Sequence, residues 1–395
     1  LELFVAHTTL PGRRFMSDFG DWGPRKGQEG YNDPWHTHET WLSTWPLVGL
    51  AAAGATSPAR DAVIGWLPAP KDSVYSMWSA SPLIPVQPRD LDARVALPYH
   101  RFRSHDALYW RSSWNDEDAT AAFFKCGPSL GHHAAPLLAR FPEWSRNDGH
   151  VHPDAGQFLI WTKGKFVAGD TGYTARKFTR DRNTLLIDGQ GQLRDGRYHA
   201  LRDIDYDRMD GLRLANVVQD SRVMAATAVM ETGYDPALGV GLLRRNLLLV
   251  DGKWLLIRDE MTASAPRTLT FLWHTDQPLK AVAPQRWLLV NGRASALLAA
   301  LTPPSSREAV PAIAEAYTGR PDHGEELQRG WCLALHSGLA AAHACLHAFI
   351  LNPGAPDTPV EAVSATSVRF HDDDHQAILT IDPQPDGFVR WDYIL

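Results

Sequence analysis

The chain has 395 residues, of which 44% are hydrophobic and 21% are charged, a composition typical of globular proteins. Its formal net charge of −6 argues against a nucleic-acid-binding protein, because such proteins usually carry a basic domain or stripe. No segment approaches the roughly 18 consecutive apolar residues that a membrane-spanning helix needs, so membrane insertion is not expected.

Cysteine usage and the first residues of the chain bear on its compartment. The three cysteines, Cys126, Cys332 and Cys345, are widely spaced, which does not indicate a zinc–thiolate site or a disulfide framework. Free thiols are expected, with a Cys332–Cys345 bridge as the alternative. The sequence starts without Met and without a signal-peptide pattern. We therefore expect it to begin inside a longer protein, and the missing signal says nothing about export.

Helical periodicity is confined to the first part of the chain. In residues 39–67 apolar side chains recur three and four positions apart, as they do on one face of a helix. Gly54 interrupts this pattern, and Ser57 before Pro58 is typical of a helix N-terminus, so two helices are predicted. Residues 71–97 are rich in proline and in polar residues and are predicted to be an interdomain linker.

Residues 98–395 have the pattern of an antiparallel β domain. Short aliphatic and aromatic runs, such as "GQFLIWTKGKFVAGD" and "NLLLVDGKWLLIRDEM", alternate with Gly- and Asp-rich turns. The Asp-Gly and Lys-Gly-Lys sequences predict tight hairpin turns, because these residues tolerate positive φ. Many strands with almost no helix between them predict antiparallel sheets packed face to face. No fixed-period repeat is present, which disfavours a propeller.

The chemistry-bearing residues concentrate around "GHVHPDAGQFLIWTKGKFVAGDTGY". In a strand, residues i and i+2 lie on the same face, so His150 and His152 are expected to point into one site. A hairpin would return Asp170 to the same end, and His199 follows further along the chain. Two imidazoles, a carboxylate and water form a normal zinc shell. Surface or hydrogen-bonded core histidines are the alternative interpretation.

Two further groups are candidates for contacts with a ligand. "YTARKFTRDRN", which includes Tyr173 and Arg182, gathers arginines that could clamp a carboxylate in bidentate fashion. His132 and His133 precede the His150 segment and could line the same cleft. Solvated loops with ordinary charges and exposed histidines are the alternatives for both groups.

Three segments taken together resemble the β domain of the heparinase II/III-type polysaccharide lyases: "YWRSSWNDEDATAAFFKCGP", "GHVHPDAGQFLIWTKGKFVAGDTGY" and "RNTLLIDGQGQ". The resemblance covers residues 100–275 well, and the second segment looks most similar to the oligoalginate lyase branch. It extends weakly over residues 1–67. The expected architecture is therefore an α+β multidomain chain, with the end of an (α/α) toroid at 1–70, the linker at 71–97 and an antiparallel β-sandwich at 98–395.

The resemblance implies roles for several residues. His150 corresponds to a cleft histidine that neutralises the uronate carboxylate or moves protons. The residues that match the family's structural zinc ligands are His152, Asp170 and His199. Contacts with the substrate are expected from His132, His133, Tyr173 and Arg182. The sequence departs from the family pattern at Arg182, where many relatives have the histidine of a His-Asn-Thr motif.

The implied reaction is β-elimination on a uronate-containing polysaccharide, with alginate oligomers ahead of heparin-like glycosaminoglycan. Neutralising the carboxylate stabilises the enolate-like charge, a base takes the C5 proton, and an acid protonates the leaving O4. Tyr31 is the best candidate for the catalytic tyrosine in the helical part, although the family's tyrosine is not expected in that loop. The favoured alternative is a tyrosine upstream of Leu1, which would leave this chain with an incomplete active site. The substrate places the protein in the periplasm or outside the cell, and a homodimer is allowed.

Two other functions fit the sequence. The first is a carbohydrate-binding β-sandwich without complete catalytic machinery. The second is a hydrolase on a similar plan, which would need a pair of carboxylates across a cleft. No spacing among the acidic residues singles out such a pair.

Overall fold

We describe the protein from a computed structural model, in which the described residues are 7, 8, 10, 11, 96–128, 131, 132, 134–141, 151–172, 174–200, 204–320, 323–372 and 375–395. Apart from residues 7, 8, 10 and 11, the predicted toroid segment at 1–70 lies outside these ranges, and so do the helix pair at 39–67 and nearly all of the linker. From residue 99 onward the regular secondary structure of the described chain is almost entirely antiparallel β-strand, as the sequence predicts.

The described strands form four sheets. The first, in order β1 to β5, comprises Tyr99–Phe102, Ala107–Arg111, Ala121–Lys125, Gln157–Thr162 and Lys165–Ala168. The second has eight strands in the order β12-β13-β14-β17-β10-β9-β8-β7. In chain order these are β7 Arg213–Gln219, β8 Val223–Val229, β9 Val240–Val250, β10 Trp254–Arg267, β12 Lys280–Ala283, β13 Arg286–Asn291, β14 Ala294–Ala300 and β17 Ala340–Leu351.

The other two sheets have four strands each. One has the order β15-β16-β11-β6, with β6 Leu185–Ile187, β11 Leu269–Thr275, β15 Ser306–Arg320 and β16 His323–His336. The C-terminal sheet runs from β18 to β21, with strands Val360–Ala362, Ser367–Asp372, His375–Pro383 and Val389–Ile394. All paired strands are antiparallel, so hairpins make most of the connections.

Turn chemistry sets the hairpins that the sequence predicts. Lys163 and Gly164 join β4 to β5, and both have positive φ. Asp251 and Gly252 do the same between β9 and β10. Two successive residues with positive φ give the backbone twist that matches the twist of the flanking strands. Both predicted turns are therefore confirmed.

The eight-stranded sheet is the central layer of the packing. In β9, Leu247 and Leu249 face a core shared with the first sheet and with β6, β11 and β16. Leu248 and Val250 face the opposite way, into a core shared with the C-terminal sheet. A strand buried on both faces needs an unbroken apolar run, which explains the sequence "LLLV". The prediction of sheets packed face to face is confirmed, and the C-terminal sheet adds a third layer to it.

Helical structure is minor in the described part. The two α-helices are α1 Ala135–Arg140 and α2 Tyr206–Asp210, and 3₁₀ turns cover Thr179–Asp181, Glu231–Gly233 and Pro236–Leu238. The Asp205 side chain caps α2 by accepting a hydrogen bond from the Asp207 amide. Within the described ranges, none of the helices has the length and apolar content that crossing a bilayer requires.

The cysteines are free thiols, as expected. Cys126 and Cys332 are buried, and Cys345 is partly buried. Burial raises the pKa of the Cys126 and Cys332 thiols to about 12. Since the thiolate is the reactive form, both residues act as small apolar core side chains.

Candidate functional site

The β4–β5 hairpin brings the two halves of the predicted site together. Asp154 to Gly156 lead into β4, and Gly169 to Gly172 follow β5. Because the two strands are antiparallel, the segments before and after them meet at one end of the hairpin. The Gly156 backbone has φ +77, which leaves the left-handed turn into β4 free of Cβ strain.

His152 and Asp170 meet at one guanidinium group, that of Arg182. The Arg182 side chain is completely buried, and its Nη1 lies 2.8 Å from Asp170 Oδ2. Its Nη2 contacts His152 Nδ1 and lies 3.4 Å from His152 Nε2. The same nitrogen donates to the Gly172 carbonyl at 3.1 Å. The hairpin therefore gathers the predicted His and Asp as expected, with an arginine between them.

The Asp170 carboxylate receives two further hydrogen bonds. Gln157 Nε2 donates to Oδ2 at 2.7 Å, and the Gly172 amide donates to Oδ1 at 2.7 Å. Both oxygens are therefore engaged by donors from β4 and from the turn that contains Asp170. A buried carboxylate is tolerated only when it is paired and hydrogen-bonded in this way.

Asn183 connects the site to the neighbouring sheet. Its Nδ2 donates to the Phe158 carbonyl at 3.0 Å and also to the carbonyl of Gly169. Its Oδ1 accepts from the His274 amide of β11 at 2.6 Å. Burial lowers the pKa of His274 to about 4, so this imidazole is neutral at physiological pH. Asn183 thus fixes the site by a structural role rather than by contact with a ligand.

Arg245 on β9 supports the same segments, and the sequence analysis did not identify it. Its Nη1 donates to the carbonyls of Gly156 and Asn183 at 3.0 and 2.9 Å. Its Nε and Nη2 pair with the two oxygens of Asp259 at 2.8 and 3.0 Å. Both side chains of this pair are fully buried. The available signal was an arginine in a strand with apolar runs on both sides, opposite an aspartate in the hairpin register.

His132 belongs to a separate polar cluster. Its Nδ1 lies 2.7 Å from Asp210 Oδ1, and its Nε2 lies 3.0 Å from Asp106 Oδ2. Asp106 also pairs with Arg101 and accepts from the Leu214 amide at 3.0 Å. Both ring nitrogens therefore face carboxylates of the protein. This placement gives His132 a bracing contact in the fold and does not support the predicted substrate contact.

A small cavity lies beside His152. Lys125, Asp154 and Gln192 are among its lining residues. Lys125 Nζ pairs with Asp154 Oδ1 at 2.8 Å, and Gln192 accepts from and donates to the backbone of Ala155. The walls of this cavity are thus held by paired polar groups.

The expectation for Arg182 needs a correction. A direct contact with a substrate carboxylate requires an accessible guanidinium, but the Arg182 side chain has no exposed area and is directed at protein atoms. Arg182 is therefore a positioning residue. The other predicted residues His150, His133, Tyr173 and Tyr31 lie outside the described residues, and their roles stay predictions.

The donor set of the predicted zinc site does not fit the ion as it stands. In the part of the chain that the structure describes, no three His, Cys, Asp or Glu side chains are grouped to hold a metal. His152, Asp170 and His199 are all described, so His199 does not complete such a group. The physical reason is that the guanidinium of Arg182 contacts both His152 and Asp170.

Comparison with known proteins identifies the β domain. Residues 88–343 match the family described as heparinase II/III-like, C-terminal. This range contains both segments of the candidate site. No curated protein matches the sequence significantly.

Solved structures share the fold at low sequence identity. The heparan sulfate lyase HepC from Pedobacter heparinus has a TM-score of 0.58 and 14% identity, over 95% of this chain and 51% of that one. Heparinase III has a TM-score of 0.59 and 13% identity, over 96% and 53%. A chondroitin AC lyase from Streptomyces coelicolor A3 has a TM-score of 0.50 and 11% identity, over 93% and 51%. The chain thus spans about half the length of these proteins.

Proposed function

This chain belongs to the heparinase II/III-like family through its C-terminal domain, and on that premise we propose that it serves a polysaccharide lyase that cleaves a uronate-containing polysaccharide by β-elimination. The observation that carries the proposal is the family match over residues 88–343, which includes the His152 and Asp170 segments. The names of the three solved structures support it, because each is a lyase or heparinase named for an acidic glycosaminoglycan.

The chemistry requires three functions at the sugar. The uronate carboxylate must be neutralised so that the C5 proton becomes acidic, a base must remove that proton, and an acid must protonate O4 of the leaving sugar. We assign the neutralisation of the uronate carboxylate, or the movement of the proton, to His150. We assign the base or acid step to Tyr31. Neither residue lies in the described part of the chain, so these roles rest on their sequence positions.

The described residues supply the support for this chemistry. His152, two positions after His150, is buried and held by the Arg182 guanidinium. The following residues, Pro153 to Gly156, lead into β4, and the hydrogen bond from Arg245 to the Gly156 carbonyl anchors the end of this segment. A catalytic side chain works only within a few tenths of an ångström of its productive position, which requires an anchored backbone. This role explains why the cluster is buried rather than open to substrate.

For the substrate we propose alginate oligomers ahead of heparin-like glycosaminoglycans. Support comes from the "GHVHPDAG…GDTGY" segment and its resemblance to the oligoalginate lyases. Because such acidic polymers do not cross membranes unaided, we place the protein in the periplasm or outside the cell.

An absorbance assay tests the reaction. β-Elimination leaves an unsaturated uronate that absorbs in the near ultraviolet, so the chain is incubated with alginate oligomers, heparan sulfate and hyaluronan in parallel. We expect the absorbance to grow with alginate first. Binding without absorbance would instead support the carbohydrate-binding alternative, and new reducing ends without absorbance would support a hydrolase.

A pair of variants assigns the signal to the site. His150→Ala is expected to lower the rate by about 100-fold or more, the range for loss of a proton-transfer group, with unchanged thermal unfolding. His371→Gln is the control, because His371 lies in the C-terminal sheet, 3.9 Å from Glu361. A His150→Ala variant with the parental rate would remove His150 from the mechanism.

A further inference from the structure

A permanent cation is built into the fold where the family resemblance implies a metal ion. The Arg182 side chain reaches Asp170 Oδ2 at 2.8 Å and contacts His152 Nδ1. It also holds the Gly172 carbonyl at 3.1 Å. One guanidinium therefore joins the segment before β4, the turn after β5 and the chain that leads into β6.

The lone pairs that a metal would use are directed at this guanidinium. A zinc ion binds through a carboxylate oxygen and an unprotonated imidazole nitrogen. Here Asp170 Oδ2 already receives Gln157 Nε2 at 2.7 Å as well as the contact from Arg182. His152 Nδ1 faces Arg182 Nη2. Arginine has donors only and keeps its charge at all physiological pH values, so it cannot serve as a metal ligand.

Electrostatics favours one cation at this carboxylate rather than two. A divalent ion bound to Asp170 would lie within contact distance of the guanidinium charge, in a site shielded from water, where like charges repel strongly. Burial raises the pKa of the adjacent Asp181 to about 7, more than Arg182 and Arg180 lower it, so near neutral pH this carboxyl carries only part of a negative charge.

We propose that Arg182 replaces a structural metal ion in this protein, so that the site folds and stays folded without a metal. The guanidinium neutralises Asp170, fixes the His152 ring and closes the Gly169–Gly172 turn, which are the tasks a bound ion would perform. The inference does not depend on the lyase activity, because its tests measure metal content and unfolding rather than turnover.

The first test uses the parent chain alone. The purified protein is analysed for zinc, calcium and other metals by mass spectrometry, and its thermal unfolding is followed with a chelator and with added Zn²⁺. We expect far less than one metal ion per chain and a Tm that neither treatment changes. About one zinc per chain, lost on chelation together with a fall in Tm, would overturn the proposal.

The second test removes the cation. Arg182→Ala is expected to lower the Tm by about 5 °C or more, because it leaves a buried carboxylate unpaired. Arg180→Ala is the matched control, since Arg180 is an exposed arginine of the same 3₁₀ turn that stacks on Phe178 at 4.2 Å. We expect Zn²⁺ or millimolar guanidinium to raise the Tm of Arg182→Ala but not the Tm of the parent or of Arg180→Ala.

Two outcomes would contradict the proposal in this series. One is an Arg182→Ala variant that unfolds at the temperature of Arg180→Ala. The other is a Zn²⁺-induced rise in Tm that is as large in the parent as in the variant. If Arg182→Ala does not fold, Arg182→Lys keeps a positive charge without the bidentate fork, and we expect it to fold with a lower Tm than the parent.

Discussion

The buried Arg245–Asp259 pair offers the sharpest test of how the site is held. Arg245 makes four hydrogen bonds inside the protein: two with Asp259, one with the Gly156 carbonyl and one with the Asn183 carbonyl. Arg245→Met keeps the volume and the apolar stem of the side chain but removes every one of these donors. The Asp259 carboxylate is then left fully buried, with His347 Nδ1 3.9 Å away.

The expected cost follows from burial. Breaking a buried ion pair by removing one partner typically costs about 3–5 kcal/mol, because the remaining charge cannot be solvated. The free energy of unfolding of a domain of ordinary stability is about 5–15 kcal/mol, so the variant loses about a fifth or more of its stability. Urea unfolding followed by tryptophan fluorescence measures this loss as a lower midpoint.

Arg222→Met is the matched control for this measurement. Arg222 pairs with Asp251 in the same bidentate geometry, at 2.7 Å for both contacts. The two side chains are 53% and 34% exposed, so water replaces the lost partner. We expect a much smaller loss than for Arg245→Met, as for other surface pairs. Equal losses for the two variants would refute the argument from burial.

A double variant separates the stability effect of the unpaired buried charge from that of the lost hydrogen bonds. Arg245→Met with Asp259→Leu has no buried charge left in this position. Replacing both partners of a buried pair by apolar residues is often neutral or stabilising, so we expect the double variant to unfold at a higher urea concentration than Arg245→Met alone. A double variant less stable than the single one would contradict this account.

Two further predictions concern pH and backbone conformation. Burial, with Arg245 adding to it and Asp259 opposing it, lowers the pKa of His347 to about 4. In the unfolded chain this residue is protonated near pH 6.5, so its stabilising effect is present above that pH and is lost as the pH falls toward 4. In urea titrations, the free energy of unfolding of the parent relative to His347→Gln should therefore rise by about 2 kcal/mol between pH 5 and pH 7. A difference between the two proteins that does not depend on pH would contradict this. In the same assay, Gly156→Ala should lower the free energy of unfolding by about 1–3 kcal/mol more than Gly164→Ala does. Both glycines have positive φ, but only a Cβ at Gly156 would meet the buried Met230 sulfur, at 2.5 Å. Equal losses for the two variants would show that Met230 moves aside freely.

The strands and hairpins of the central sheets were predictable because their sequences carry two agreeing signals. In β9 and β10 an apolar run on each side flanks an Asp-Gly turn, and both the run and the turn favour the same hairpin. The β15–β16 hairpin, residues 306–336, was not predicted individually. Its segment "REAVPAIAEAY" is rich in alanine and glutamate, which have low strand propensity, so cross-strand pairing with β16 decides the structure there.

The site was predictable as a meeting of backbone segments but not as an arrangement of side chains. The hairpin pattern correctly placed Asp170 at the same end as His152, because strand geometry fixes where the chain returns. It did not reveal that Arg182 points inward. An arginine in a polar loop is exposed in most proteins. Here the guanidinium of Arg182 points inward because its two partners, Asp170 and His152, are buried.

The two buried arginines of the site, Arg182 in a polar loop and Arg245 in β9, have the same physical explanation. Arg182 binds the segments around His152 and Gly172, while Arg245 binds the carbonyls of Gly156 and Asn183. Loop segments have no ladder partners of their own, and their buried polar groups must be satisfied by side chains. A guanidinium supplies five donors in a rigid fork, so one arginine can form hydrogen bonds with the buried polar groups of several loops at once. The site is therefore held by two buried cations, and the loss of either should loosen the His152 segment before it unfolds the sheets.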